Sequence, residues 1–243
     1  MNSNLSKKLR DGTKKAHTMA ENVGFVKCFL KGVIDQDSYG KLVSSLYFVY
    51  AEMEAQMHRH QTHPVLGKIY FPRLNRQSNL EKDLHFYYGD RWQSRITASP
   101  ATEAYVKRIQ DLADTEPELL IAHAYTRYMG DLSGGQILKG IAQRAMGLTA
   151  AQGTAFYEFD DIADEKEFKA IYRQRLDDLP LSAATIERIV EEANAAFAMN
   201  MRLFQELEGN FIKAIGQVLF NTLTRRQTRS ASQSKEANVV LTD

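Results

Sequence analysis

"TRYMGDLSGGQILKG", residues 126–140, places Gly130, Gly134, Gly135 and Gly140 in a stretch whose flanks read as helix. An interior glycine costs a helix roughly 0.5–1 kcal/mol relative to alanine, because it loses more backbone freedom and packs no side chain in return. The flanks "EPELLIAHAYTRYM" and "ILKGIAQRAMGL" hold no proline past Pro117. Apolar residues recur at Leu120, Ala124, Leu132, Ile137, Leu138, Ile141 and Ala145 in helical steps. One long helix from near Pro117 to near Gly147 is predicted, with Pro117 in its first turn. Gly130 and Gly134 lie one turn apart and strip a shared face of side chains. Arg127, Asp131 and Lys139 exclude a membrane helix. The bare face therefore fits a kink with close helix packing, or the approach of a flat ligand.

The 3.6-residue period extends over nearly the whole chain, and only "HFYYG" hints at strand alternation, so the fold class is all-α. Helices are predicted over 3–22, 24–34, 37–61, 76–88, 99–115, 117–147, 164–177 and 182–223. Between them, "THPVLG", "YFPRLN", "YYGDRW", "TASP" and "DLPLS" carry turn residues. Ser182, Ser99 and Asp37 are candidate N-caps. No linker divides the chain, which reads as one domain over 1–223. A polar tail, 224–243, "TRRQTRSASQSKEANVVLTD", is expected to be disordered, its basic cluster a solvated charge run.

Thirty-one Lys and Arg residues against thirty Asp and Glu give no general pull toward nucleic acid, and 44% hydrophobic residues fit a soluble globular protein. Cys28 is the single cysteine, which rules out an intramolecular disulfide and a Cys-rich metal site; it is expected to be a buried structural thiol in a reducing compartment. The N-terminal "MNSNLSKKLRDGTKK" lacks the apolar core of a signal peptide, so a cytoplasmic location, without a membrane span, is the default expectation, and a monomer the simplest assembly.

Six histidines are available as ligands. His58, His60 and His63 sit at a helix end, where cationic side chains suit the dipole. His85 is uninformative, and His123 reads as a hydrogen-bonded interior residue. His17 differs in its company. On a helical wheel Leu5, Leu9, Ala16 and Ala20 form an apolar stripe, and Arg10, Lys14, His17 and Glu21 line its edge in steps of four, three and four. Glu21 can orient the imidazole by accepting its second N–H, as partners of ligating histidines do. The same line also fits a solvated helix flank. Taken together, an axial histidine, cations for acidic groups and a bare backbone describe a haem site.

The segments "LRDGTKKAHTMAENVGFVKCFLKG", "AYTRYMGDLSGGQILKGIAQRAMGL", "GTAFYEFDDI", "FKAIYRQRLDDL" and "IVEEANAAFAMNMRLFQEL" resemble the haem oxygenases over about residues 5–220. The resemblance implies a helical fold with haem between a proximal N-terminal helix and a kinked distal helix. His17 matches the proximal iron ligand and Glu21 its carboxylate partner. Gly130 and Gly134 match the glycines over the haem, and Asp131 the distal carboxylate that organises water. Arg10, Tyr125, Lys169 and Arg173 match groups around the propionates, with Lys14 beside them. Tyr50, Phe197 and Asn200 match pocket positions, although core packing explains Tyr50 and Phe197 equally well.

The implied reaction opens haem at a meso carbon in three oxygenations, through a ferric hydroperoxide, to give biliverdin (the IX-alpha isomer), carbon monoxide and ferrous iron. A histidine ligand lacks the electron push of a thiolate, which disfavours O–O cleavage. The glycine backbone would steer dioxygen toward one ring edge, and Asp131 would supply protons through water. The polar ending resembles the soluble members of cyanobacteria, algae and plastids, which implies reduced ferredoxin as electron donor, docking on basic residues such as Lys7, Lys8, Lys14 and Lys15, and bilin reductases as takers of the product. The rival readings are a haem carrier or sensor, which has no use for Asp131, and a helical enzyme of thiamine salvage, which needs a cysteine nucleophile.

Overall fold

The computed structural model describes residues 3–149 and 152–208, and the regular structure among them is helical throughout. In chain order the helices are α1 (Leu5–Glu21), α2 (Gly24–Leu30), α3 (Gln36–Arg59), α4 (Gln77–Tyr88), α5 (Pro100–Thr115), α6 (Leu120–Met146) and α7 (Glu165–Asp177). α8 is helical from 183 to 208. The last part of the predicted 182–223 helix and the 224–243 tail lie outside the described residues. Those up to Leu207 pack as one unit.

Capping fixes most boundaries. Ser99 accepts from Thr102 N–H with Pro100 at the first helical position, and Ser182 Oγ accepts from Thr185 N–H at 3.1 Å. Asp35, not Asp37, caps α3, taking Ser38 N–H at 2.7 Å, while Asp37 sits in the first turn where its charge suits the dipole. Pro117 opens a 3-10 turn, Pro117–Leu119, and α6 proper starts at Leu120. Between Leu120 and Met146, α6 runs unbroken through all four glycines. "HFYYG" belongs to the end of α4, where Gly89, at φ +76°, turns the chain away. α2 stops four residues early, at Leu30, and Gly32 at φ +72° follows. Cys28 is free and only half-buried.

α3 packs on α4 and α5 around the buried side chains of Val49, Tyr50, Met53, Leu80, Leu84, Tyr105 and Ile109. Two buried carboxylates cap neighbouring elements. Glu54 accepts from the backbone N–H of Arg76 and Gln77 at the start of α4. Asp83 accepts from Ala155 and Phe156 N–H at 2.7 and 2.8 Å. Burial pushes both up, Glu54 to about 7 and Asp83 to about 6, against those same N–H donors. The turn that Asp83 holds sets Tyr157 against α6 at Gly135, where an added Cβ would lie 3.3 Å from the ring. Gln136 Nε2 donates to Tyr157 O at 3.0 Å, and Lys139 pairs with Glu158 on the same side.

α1 is seated by α7 and α8. Asp177 accepts from Ser6 N–H and Oγ–H, both at 2.8 Å, so the end of α7 caps the start of α1. Gly12 lets α1 approach α8: a Cβ there would stand 2.5 Å from Val190 Cγ1, and Asn194 Nδ2 donates to Gly12 O at 3.2 Å. No helix among the described residues is long and apolar enough to cross a membrane.

Candidate functional site

α1 buries Leu5, Leu9, Thr13 and Ala20, which leaves Arg10, Lys14, His17 and Glu21 on its outer face. His17 is 57% exposed, with Nδ1 3.6 Å from Glu21 Oε1, so Nε2 is the nitrogen left for a ligand. Phe197 of α8 meets the imidazole edge-on, ring centres 5.8 Å apart. Such a histidine, with a carboxylate near one nitrogen and an aromatic ring at its edge, has its other nitrogen open to a metal.

The predicted cations converge in part. Burial raises the Tyr125 hydroxyl pKa, and the Arg173 and Arg10 guanidiniums, from α7 and α1, both pull it back down, which places the three groups together. Lys169, one turn before Arg173, reaches the distal helix itself, donating to Leu132 O at 2.9 Å. Lys14 is exposed on α1 between Arg10 and His17. Arg10 is also paired with its neighbour Asp11 at 3.1 Å.

On α6, Gly130 and Gly134 face open space: an added Cβ at either meets nothing within 4 Å. Gly135 and Gly140 instead face Tyr157 and Arg144. So two of the four glycines admit something from outside, and the other two accommodate the protein's own side chains. At Gly130 and Gly134 a flat ring would meet no side chain of those positions, so the residues present fit a haem with His17 on its iron and Arg10, Tyr125 and Arg173 for its acidic groups.

Asp131 starts a half-buried polar network. Tyr50 O–H donates to Asp131 Oδ2, Arg127 Nε donates to Tyr50 Oη at 3.1 Å, and Arg127 Nη1 donates to Asn200 Oδ1. The Arg127 guanidinium also lies 5.3 Å from the Tyr50 ring centre. Burial pushes the Asp131 carboxyl up to about 6, against Arg127, the Tyr50 hydrogen bond and Arg76. That places its proton exchange near neutral pH, where a general acid is useful. Tyr50 and Asn200 are buried within this network, as members of it as much as of the core. Phe197 and Asn200, one turn apart on α8, thus touch His17 and Arg127, and α8 links the two faces of the site.

Arg127, Arg76 and Tyr105 belong to this network and escaped the sequence reading. For Arg127 the one signal was the i, i+4, i+8 stripe His123, Arg127, Asp131 on α6, polar where a core helix should be apolar; Arg76 and Tyr105 carried none. His123 is the hydrogen-bonded interior histidine expected. His58 and His63 serve turns and neighbours: His58 Nδ1 lies 3.1 Å from Tyr70 Oη, and His63 Nδ1 accepts from Val65 and Leu66 N–H.

A family profile described as Heme oxygenase matches residues 3–206. The chain is 66% identical over 233 residues to heme oxygenase 1 of Nostoc sp., covering 96% of this chain and 98% of that protein. It is 61% identical to heme oxygenase 1 of Synechocystis sp., covering 96% and 97%. The fold matches the crystal structure of heme oxygenase-1 from the cyanobacterium Synechocystis sp. in complex with heme, at a TM-score of 0.88 and 63% identity over 90% of this chain and 99% of that one.

Proposed function

The chain belongs to the haem oxygenase family, an oxidoreductase that binds and degrades haem, and from that premise we propose the course and products of its reaction. The products are biliverdin, with cleavage at the alpha meso carbon, together with carbon monoxide and ferrous iron. Dioxygen is the oxidant and reduced ferredoxin the electron donor. Haem, when bound, supplies the iron that activates oxygen and the ring that is opened.

His17 would bind the iron through Nε2, with the Glu21 carboxylate beside its other nitrogen. Gly130 and Gly134, which present no side chain, would let the ring come close to the α6 backbone, and that backbone would steer a small molecule bound there toward a ring edge. Arg10, Tyr125, Lys169, Arg173 and Lys14 hold the propionates and so set the rotation of the ring. Phe197 walls the proximal side. Asp131 holds and returns protons beside the glycines through water, and Tyr50 and Asn200 fix its surroundings. Exposed Lys7, Lys8, Lys14 and Lys15 on α1 offer an acidic ferredoxin a basic face, and bilin reductases take the product.

The observation that carries this reading is Asp131, a carboxyl that accepts the Tyr50 hydroxyl and lies between two side-chain-free positions, Gly130 and Gly134; a haem carrier has no use for it. The test is to add haem, reduced ferredoxin and its reductase to the protein in air and follow the haem and bilin absorption bands with carbon monoxide release. Loss of the haem band with stoichiometric biliverdin and carbon monoxide is expected. A stable oxygen complex despite ample electrons would overturn the reading in favour of a carrier.

A further inference from the structure

α2 closes in a projecting turn, Leu30, Lys31, Gly32 and Val33. All four residues are exposed, Leu30 by 42% and Val33 by 49%, and a Cβ added at Gly32 would meet nothing within 4 Å. The other exposed large apolar side chains among the described residues, Met19, Phe86, Ile137 and Ile171, stand singly in the sequence, whereas this turn carries two. The turn is anchored from beneath. Phe29 and Ile34 on either side of it are buried, and the Phe29 and Tyr39 rings meet edge-on, 5.9 Å apart. Lys31 N–H donates to Lys27 O and Cys28 O, Gly32 N–H to Phe29 O at 2.8 Å and Val33 N–H to Cys28 O at 2.9 Å, with Gly32 at φ +72° closing the helix end. These N–H groups are already paired, so lowering the turn into an apolar layer strips no water from them.

The free charge beside the tip is positive. Lys27 and Lys31 are exposed and enter no ion pair among the described residues. No acidic residue lies between Glu21 and Asp35. The flanking carboxylates are engaged: Glu21 lies beside His17, Asp35 accepts from Ser38 N–H and Oγ–H, and Asp37 pairs with Lys41 at 2.6 Å. Two aliphatic side chains on a convex turn, with one lysine between them and another a turn behind, suit a fluid anionic bilayer. The alkyl groups enter between headgroups, and the lysine stems reach back to bring their ammonium groups to the phosphates. A folded protein partner would need a cavity to receive such a tip, and a lipid surface does not.

We propose that the turn 30–33 is a shallow, reversible membrane contact whose occupant is an anionic phospholipid surface. Haem is largely apolar and collects in lipid, so the contact would hold the protein where its substrate accumulates. That purpose rests on the haem reading, but the contact is measured without haem, so its outcome is separate from whether biliverdin is made.

The full chain is mixed in physiological salt with vesicles of phosphatidylcholine, alone or with phosphatidylglycerol, and bound protein is separated by flotation. Binding to the anionic vesicles is expected, and weaker binding without the anionic lipid. Leu30→Ser/Val33→Ser should lower the partition coefficient at least about tenfold. Lys27→Gln/Lys31→Gln should lower it about twentyfold, at about fivefold per lysine. All four positions lie on the surface, so thermal stability and haem binding should stay at the parent's values, and a loss then reports the contact and not the fold. In a Val33→Trp protein, lipids with brominated acyl chains should quench the added indole, while Trp92, 8% exposed, stays bright. Failure to bind anionic vesicles would overturn the proposal. So would binding that Leu30→Ser/Val33→Ser retains, which would assign the attraction to cations elsewhere, or an added indole that brominated lipid does not quench.

Discussion

α1 and α6 carry the two halves of the proposed site by opposite means. His17 stands at the surface, 57% exposed, and what places it is helix seating: the Asp177 cap, the close crossing at Gly12 and the ring of Phe197. Asp131 is half-buried, and what places it is side-chain hydrogen bonding through Tyr50 and Arg127 from α3, α6 and α8. A metal ligand needs an unblocked lone pair in a fixed place, which rigid backbone supplies. A proton donor working near neutral pH needs a shifted affinity, and for a carboxyl that takes burial with measured compensation. The two helices should therefore fail differently when altered.

The largest effect is expected on the proximal side. His17→Ala should abolish the axial bond, change the absorption spectrum of added ferric haem, and lower turnover by more than about a hundredfold, the loss of at least ~3 kcal/mol at the transition state. An unchanged spectrum would show that the iron is held elsewhere. Asp131→Ala comes next. It should leave haem binding and that spectrum close to the parent's while biliverdin formation falls about a hundredfold, the ordinary worth of a general acid. Parent-rate biliverdin from that protein would remove Asp131 from its role and leave α6 with only a steric part.

The difference between the helices also explains what was legible in the sequence. α1 could be read from a wheel, because its chemistry is a line of residues on one helix: Arg10, Lys14, His17 and Glu21. The glycines of α6 were legible as a bare face, although only coordinates separate Gly130 and Gly134, which face open space, from Gly135 and Gly140, which face Tyr157 and Arg144. The polar network was not legible. Its members come from α3, α5, α6 and α8, and residues 77 positions apart, such as Tyr50 and Arg127, meet only through tertiary packing. Asp35 replaced Asp37 as a cap for a smaller reason, since a DxD sequence offers two caps and local propensity does not choose between them.

Seating by close approach gives the third prediction. Gly12→Ala puts a Cβ 2.5 Å from Val190 Cγ1, a methyl that its stiff branched side chain cannot swing away in a helix. Overpacking of this kind costs about 1–3 kcal/mol, more than the roughly 0.5–1 kcal/mol that alanine gains as a helix former. Lower thermal stability and weaker haem binding should both follow, and Val190→Ala in the same protein should restore both. If the double variant recovers stability but not haem affinity, the crossing does not set the place of His17.

The smallest effect separates the two sides by pH. Asp83, wholly buried behind the distal helix, has its carboxyl raised by burial to about 6 despite two backbone N–H donors. A carboxyl raised in the folded state binds its proton more tightly there than in the unfolded chain, where it titrates near about 4. Its contribution to stability is therefore full below about pH 4 and is lost as pH rises through 6. Asp131 and Glu54 follow the same sign, whereas Glu192, held at about 2, contributes above the ordinary glutamate range and loses that as pH falls toward 2. Asp83→Asn keeps a carbonyl oxygen for the N–H groups and removes the titration. Urea unfolding of both proteins at pH 4.5 and 7.5 should show the parent's advantage over Asp83→Asn shrinking at the higher pH, by on the order of 1 kcal/mol. An advantage that grows instead would mean that the two N–H donors outweigh burial, and that the turn under Gly135 is held by charge.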